Sequence, residues 1–191
     1  MARTTVSLDD DLLKQAKNNG INVSKTTRDA LKGAMNAPTD HWFNTNKRYL
    51  PNGQTGAGVY GHGVVATFAK SNRPDDVEKF GGYIGEVEAG DRIFSWENDV
   101  GLRGVGNALE DGDSDPVPPE HRLFHDADSA IHEFHVPVNW RAILQPQEAI
   151  TAREVEQIAG RPVYGSGTHA KLGADDNTQL LWDIAVGRNG R

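Results

Sequence analysis

The sequence contains no cysteine, only two methionines and no long uninterrupted run of apolar residues. Without cysteine, the chain can form neither disulfide bonds nor thiolate metal sites. Without about twenty consecutive apolar residues, no segment is predicted to cross a bilayer as a helix. The first residues do not have the pattern of a signal peptide. We therefore expect a soluble, cytoplasmic protein with no membrane partner.

The charge of the chain is distributed unevenly. The net charge of the 191 residues is −7, which argues against a surface that binds nucleic acid throughout. Residues 1–37 contain six Lys or Arg and four Asp, a net charge of +2, whereas the remainder contains 14 basic and 23 acidic residues, a net charge of −9. A chain of this length can form two small domains. Composition therefore predicts a basic N-terminal module followed by an acidic domain.

The first 35 residues have the pattern of a strand followed by two short helices. Residues 3–8 alternate as a strand does, and the face opposite the apolar one carries Arg3, Thr5 and Ser7. Asp9 begins a helix with acidic residues that suit its N-terminal dipole, Gly20 ends it, and Ser24 caps a second helix. The apolar positions are too few for a monomeric core in about 35 residues, so we expect a homodimer.

The turn between these helices reads Gly20-Ile21-Asn22-Val23-Ser24. With this turn, residues 3–35 resemble the ribbon-helix-helix family, especially its antitoxin-like members. The resemblance implies a dimer whose paired strands enter the major groove of DNA. Its expected DNA contacts are Arg3, Thr5 and Ser7 to base edges, and Ser24 and Lys25 to phosphate. The alternative is an ordinary helical hairpin that caps the larger domain.

Residues 38–57 are predicted to be a linker, because proline and glycine recur in them among Asn and Thr. The aromatic residues of this segment are expected to dock against a domain: Trp42, Phe43 and Tyr49. Three domains or segments follow from this division: a DNA-binding and dimerisation module at 1–37, the linker at 38–57 and a second domain at 58–191.

Strand and helix patterns alternate in the second domain. The strand candidates are 64–69, 92–96, 101–109 and 133–143, and the helix candidates are 75–83, 151–159 and a last helix from residue 175 or 176. Thr151 and Glu154 have the spacing of a capping box. We therefore predict the α+β class, with a small β-barrel or strongly bent sheet and flanking helices after the ribbon-helix-helix module.

Three segments of this domain carry a second resemblance: Val87–Trp96, Gly101–Leu109, and Phe134–Trp140 followed by Ala149–Glu154. They contain a Gly-Asp entry to a strand, a glycine-broken strand, and a later strand and helix. Residues 58–191 thereby resemble the PUA-like superfamily, and within it the EVE and YTH type of domain. The resemblance implies a pocket that accepts a single base, often a modified one.

A base has two π faces and a hydrogen-bonding edge, so its pocket needs aromatic walls and placed polar groups. Trp96 and Asn98 stand at a strand end beside a turn and are predicted to supply a wall and an edge contact. Tyr60 and His62, in the glycine-rich run 58–63, are predicted to form the other side. The alternative for Trp96 is the hydrophobic core, which is also predicted for Trp140 and Trp182.

Four histidines lie close together in the sequence: His121, His125, His132 and His135. Their spacing matches no recognised zinc signature, and His132 and His135 would point to different faces of a strand. No Ser-His-Asp order or carboxylate pair stands out among the acidic loops. We therefore predict no metal, no cofactor and no enzymatic activity.

Together these patterns predict a DNA-binding protein, either a transcriptional regulator or a reader of modified DNA, with DNA and a modified nucleotide as partners. One alternative is an antitoxin-like protein whose C-terminal part binds a toxin. Another is a metal-dependent nuclease or hydrolase that uses the histidine-rich loop.

Overall fold

The computed structural model describes Lys14 and residues 37–45, 50, 57–162, 167–173 and 176–190. The chain divides into two compact units, Met1–Ala37 and Pro38–Arg191. The predicted ribbon-helix-helix and its DNA contacts lie outside the described residues: Arg3, Thr5, Ser7, Ser24 and Lys25. They stay predictions, and the architecture given below is that of the second unit.

The described part of the second unit contains six strands and four α-helices. The strands are β1 (Asp40–Thr45), β2 (Val64–Lys70), β3 (Arg92–Glu97), β4 (Gly101–Ala108), β5 (Ile131–Ile143) and β6 (His169–Leu172). The helices are α1 (Ala57–Gly61), α2 (Pro74–Gly85), α3 (Ala152–Ala159) and α4 (Thr178–Asn189). None of these helices has both the length and the apolar character that crossing a membrane requires.

The six strands form one mixed sheet in the order β2-β5-β4-β3-β1-β6. β1 runs parallel to β3, and the other neighbouring pairs are antiparallel. The sheet curls so far that β1 contacts β2, although three strands separate them in the sheet order. The predicted α+β class is confirmed, and its sheet is a curled half-barrel.

The two faces of the sheet bury separate hydrophobic clusters. The inner face of the curl, toward α2, buries Phe43, Ile93, Phe134, Val136 and Ile84. The outer face, toward α3 and α4, buries Trp42, Phe94, Leu102, Val155 and Leu181. Because successive residues of a strand point to opposite faces, neighbouring residues of β1 and β3 enter different clusters.

The structure differs from the prediction in the segment 38–57, where β1 occupies residues that were expected to be linker. Trp42 and Phe43 have exposed fractions of only 2% and 1%. β1 pairs with β3, about fifty residues further along the chain, and with β6. The flanking prolines and glycines are a local signal, whereas these partners are remote in sequence, which is why β1 was missed. Tyr49 lies outside the described residues.

Several local signals produced the structures that they predict. Thr151 is the N-cap of α3, its Oγ1 accepts a hydrogen bond from Glu154 N, and Gly160 ends the helix with a φ of +72°. A hydrogen bond from Arg188 is the main reason why the pKa of Glu154 is lowered. Pro74 begins α2, where its missing N–H costs no hydrogen bond.

Candidate functional site

An aromatic and polar cluster lies on the inner face of the sheet, around Tyr60 of α1. The Tyr60 hydroxyl donates a hydrogen bond to Ser95 Oγ over 3.0 Å, and the Tyr60 ring meets the Trp140 ring edge to face with centroids 5.0 Å apart. Gly104 makes room for this arrangement, because a Cβ there would lie 2.5 Å from Tyr60 Cε1. Tyr60 is 7% exposed, and burial raises the pKa of its hydroxyl.

A buried ion pair supports the Tyr60 ring. β4 has an extra residue at a bulge opposite β3, and that residue is Arg103. Its Nη1 donates to Glu97 Oε2 over 2.6 Å and its Nε to Leu144 O over 2.9 Å. The guanidinium carbon lies 5.3 Å from the centroid of the Tyr60 ring, a cation–π distance. Both charges of the pair are buried, and the guanidinium group lies against the Tyr60 ring on the side of the cluster formed by β4.

The cluster contains a polar atom without a partner. Trp140 Nε1 is buried and has no hydrogen-bond partner among the described residues. The Trp140 side chain is half-buried and packs against the inner cluster, so it belongs partly to the core, as predicted. A buried N–H without an acceptor is uncommon, because it loses its hydrogen bond to water. The indole N–H of Trp140 is therefore an unsatisfied donor inside the cluster.

The structure does not bring the four predicted pocket residues together. Trp96 is 7% exposed and stacks on Trp42 in the outer cluster, with ring centroids 5.4 Å apart. Tyr60 bonds to Ser95 on the opposite face of β3. Asn98 is half-buried in the turn after β3, and His62 is exposed beyond α1, edge to face with Phe124. Trp96 is thus a core residue, which is the alternative that the sequence left open.

Glu133 organises the histidine-rich loop that precedes β5. Buried Glu133 accepts hydrogen bonds from Leu123 N, Phe124 N and His125 Nδ1. His132 and His135 lie on opposite faces of β5, as expected from their spacing. Within the described ranges, no group of three or more His, Asp or Glu residues could hold a metal ion. The histidine and the glutamate therefore anchor the loop that precedes β5.

A second polar cluster has no signal in the sequence. His41 of β1 contacts Asp91 through Nε2 over 3.0 Å and His169 of β6 through Nδ1 over 2.9 Å. Fifty residues separate His41 from Asp91 in the chain, and 128 separate it from His169. The pairing of β1 with β6 brings His169 to His41, and the pairing of β1 with β3 brings Asp91 there.

Comparison with known proteins gives a similarity for each part of the chain. Residues 2–51 match the model of the post-segregation antitoxin CcdA family. This match includes β1 of the second unit and covers about a quarter of the chain. Among curated proteins, no relative matches the chain.

Several solved structures align with part of this chain. Protein PSPTO5229 from Pseudomonas syringae is 13% identical, with a TM-score of 0.45 over 76% of this chain and 99% of that chain. The YTH domain of Pho92 in complex with m6A is 11% identical, with a TM-score of 0.47 over 78% of this chain and 86% of that chain. The YTH domain of Zygosaccharomyces rouxii MRB1 in complex with N6-methyladenosine RNA is 11% identical, with a TM-score of 0.43 over 78% and 88%. The chain is thus similar to an antitoxin family at its N-terminus and to YTH domains, among other structures, over much of its length.

Proposed function

We propose that this protein is a nucleic-acid reader. Its N-terminal module binds duplex DNA as a homodimer, and its second unit recognises a single base on the inner face of the sheet. The similarity of residues 2–51 to an antitoxin family and the net positive charge of residues 1–37 support the first part. The observation that carries the second part is the unpartnered Trp140 Nε1 beside the Tyr60 ring.

The base site is built around Trp140. Its half-buried indole supplies a π face for stacking and an N–H for an acceptor on the base edge. Tyr60 is too buried to be an open wall, so it supports Trp140 from within the fold. Its hydrogen bond to Ser95 fixes the angle between the two rings. The contacts of His62 and Asn98 with a base stay predictions from the sequence and are not part of this site, and the proposal assigns no catalytic step.

The base site can be tested with Trp140→Phe, which keeps an aromatic ring and removes the N–H. Short DNA and RNA strands with modified and unmodified bases are the probes. A neutral hydrogen bond contributes about 0.5–1.5 kcal/mol, so the affinity for the preferred strand should fall up to about tenfold. Trp182→Phe is the control, because Trp182 packs against Phe94 on the outer face. Unchanged affinity in Trp140→Phe would exclude this indole as the base contact.

The DNA-binding module has its own test. Arg3→Ala combined with Thr5→Ala should relax the sequence preference for DNA. Each lost contact to a base should reduce the discrimination against the wrong base by about 1–3 kcal/mol. Lys25→Ala should weaken binding to all sequences alike and flatten the salt dependence. Light scattering should give a dimer at micromolar concentration. A monomer, or unchanged preference in the double variant, would contradict the module's proposed role.

The second candidate function is that of an antitoxin with a protein toxin as its partner. The family match of residues 2–51 favours it. Residues 40–45 of the match form β1 of the curled sheet, so a toxin would meet a folded domain there and not an extended tail. Coexpression with a candidate toxin separates the two functions: neutralised toxicity with no preference for any base would favour the antitoxin.

A further inference from the structure

Asp91, His41 and His169 form a continuous chain of hydrogen bonds between the turn before β3 and the strands β1 and β6. Asp91 Oδ2 lies 3.0 Å from His41 Nε2, and His41 Nδ1 lies 2.9 Å from His169 Nε2. The two imidazole rings are nearly coplanar, with an angle of 20° between their planes. This geometry directs the N–H of one ring at the lone pair of the other. The described β1–β6 pairing is therefore fastened by a side-chain contact at His169.

The hydrogen-bond partners of Asp91 determine the position of each proton. The Asp91 carboxylate already accepts hydrogen bonds from Thr39 N over 2.6 Å and Glu88 N over 2.9 Å. An ionised carboxylate can only accept, so His41 Nε2 must carry a proton. The Nδ1 atom of neutral His41 is then bare and must accept from His169 Nε2. In the neutral state, both histidines are therefore Nε2–H tautomers.

Few charged groups act on the binding of a proton by His41 and His169. His41 is fully buried, and the His169 ring contacts the rings of Phe43 and Tyr83, at centroid distances of 4.7 and 5.0 Å. Besides Asp91, the charged groups that act on the pair are Glu86 at the end of α2 and Lys171 of β6, which pair with each other. Burial is the main cause that lowers the pKa of both histidines.

The chain can take one proton without losing a hydrogen bond. A proton on His169 Nδ1 leaves the Nε2–H of His169 directed at His41, and the charge can pass along this bond to His41, beside Asp91. A second proton has no such place. It would put hydrogens on both nitrogens that are 2.9 Å apart, so that two donors and two positive charges would face each other.

We propose that Asp91, His41 and His169 form a proton-linked clamp, which holds β6 on β1 while the histidine pair carries at most one proton and releases β6 when it takes the second. β6 is an edge strand that pairs only with β1 among the described strands. Its release therefore leaves the rest of the described sheet paired.

The tautomers give a direct test. Long-range ¹H–¹⁵N spectra of the ¹⁵N-labelled full chain at pH 7.5 should show His41 and His169 as neutral Nε2–H tautomers. Acidification should shift the signals of both rings together, because one proton is shared between them. An Nδ1–H tautomer at His41, or two rings that titrate independently, would overturn the proposal.

Hydrogen exchange tests the release of β6. Between the ordinary histidine pKa of 6.5 and the pKa of about 4 to which burial lowers His169, the released state binds one proton more than the clamped state. Protection of the β6 amides should therefore fall by up to about tenfold for each pH unit of acidification in this range. His169→Gln removes the titrating ring, and the amide can still donate to His41 Nδ1 or accept from it, so this variant should lose the steep dependence. His121→Gln, at an exposed histidine outside the sheet, is the matched control and should behave as the parent. An equal fall in the parent and in His169→Gln, or no fall in the parent, would refute the clamp.

Discussion

Replacement of Trp96 by alanine tests whether Trp96 is a core residue or a wall of a binding pocket. In the structure, Trp96 is 7% exposed, stacks on Trp42 at a centroid distance of 5.4 Å and lies in the outer cluster with Phe94 and Leu102. Truncation of a buried tryptophan costs about 3–5 kcal/mol through lost burial and the cavity that remains. About 0.5–1.5 kcal/mol of this belongs to the stacking on Trp42. We therefore expect Trp96→Ala to lower the free energy of unfolding by about 3–5 kcal/mol.

Urea denaturation followed by tryptophan fluorescence measures this loss in the right part of the molecule, because all four tryptophans lie in the unit Pro38–Arg191. With an m-value of about 2 kcal/mol/M, the midpoint should fall by about 2 M. Trp96→Phe is the matched control, since it keeps an aromatic ring against Trp42 and should lose much less. A loss below about 1 kcal/mol in Trp96→Ala, together with weaker binding of a base, would refute the core assignment.

Three further predictions rest on single contacts. Glu133→Gln replaces an acceptor of three hydrogen bonds with a group that also donates, so it should cost about 1–3 kcal/mol for each donor left unpaired, measured by thermal denaturation. Gly112→Ala should destabilise the unit, because the added Cβ would lie 1.9 Å from Ile84 O. Gly61→Ala is the control and should not, because a Cβ at Gly61 has no atom within 4 Å. Equal melting temperatures of the two variants would contradict this prediction. The pKa of His169 is lowered from 6.5 to about 4, so the folded state binds the proton more weakly than the unfolded state. Its contribution to stability is complete above pH 6.5 and is lost as the pH falls toward 4. Denaturation midpoints of the parent should therefore depend on pH in this range more steeply than those of His169→Gln, in which only His41 of the pair still titrates.

Some features of this fold could be predicted from the sequence because their causes are local. The capping box of Thr151 and Glu154 requires two residues three positions apart, and it begins α3 where predicted. The strand predicted at 92–96 is β3, because alternation in a strand is a property of consecutive residues. The α+β class follows from the same order of elements.

The candidate site required the tertiary structure. Tyr60 was selected for its glycine-rich surroundings, but its contact with Trp140 depends on the close approach of α1 to Gly104 of β4. Trp96, which the same reasoning placed in the pocket, lies on the other face of β3. Whether a strand residue points to the inner or the outer cluster depends on which helices cover each side of the sheet. The sequence of the strand alone does not show this.

Caps and alternating strands could be read directly from the order of residues, and so could the uneven distribution of charge. Three other features depend on the folded sheet. Residues 40–45 form a strand, Trp96 is a core residue, and His41 shares a hydrogen bond with His169 although 128 residues separate them. Caps and alternation arise from interactions between residues a few positions apart. Strand pairing joins distant segments whose match depends on how the whole sheet buries its two faces, so its partners could not be read from either segment alone.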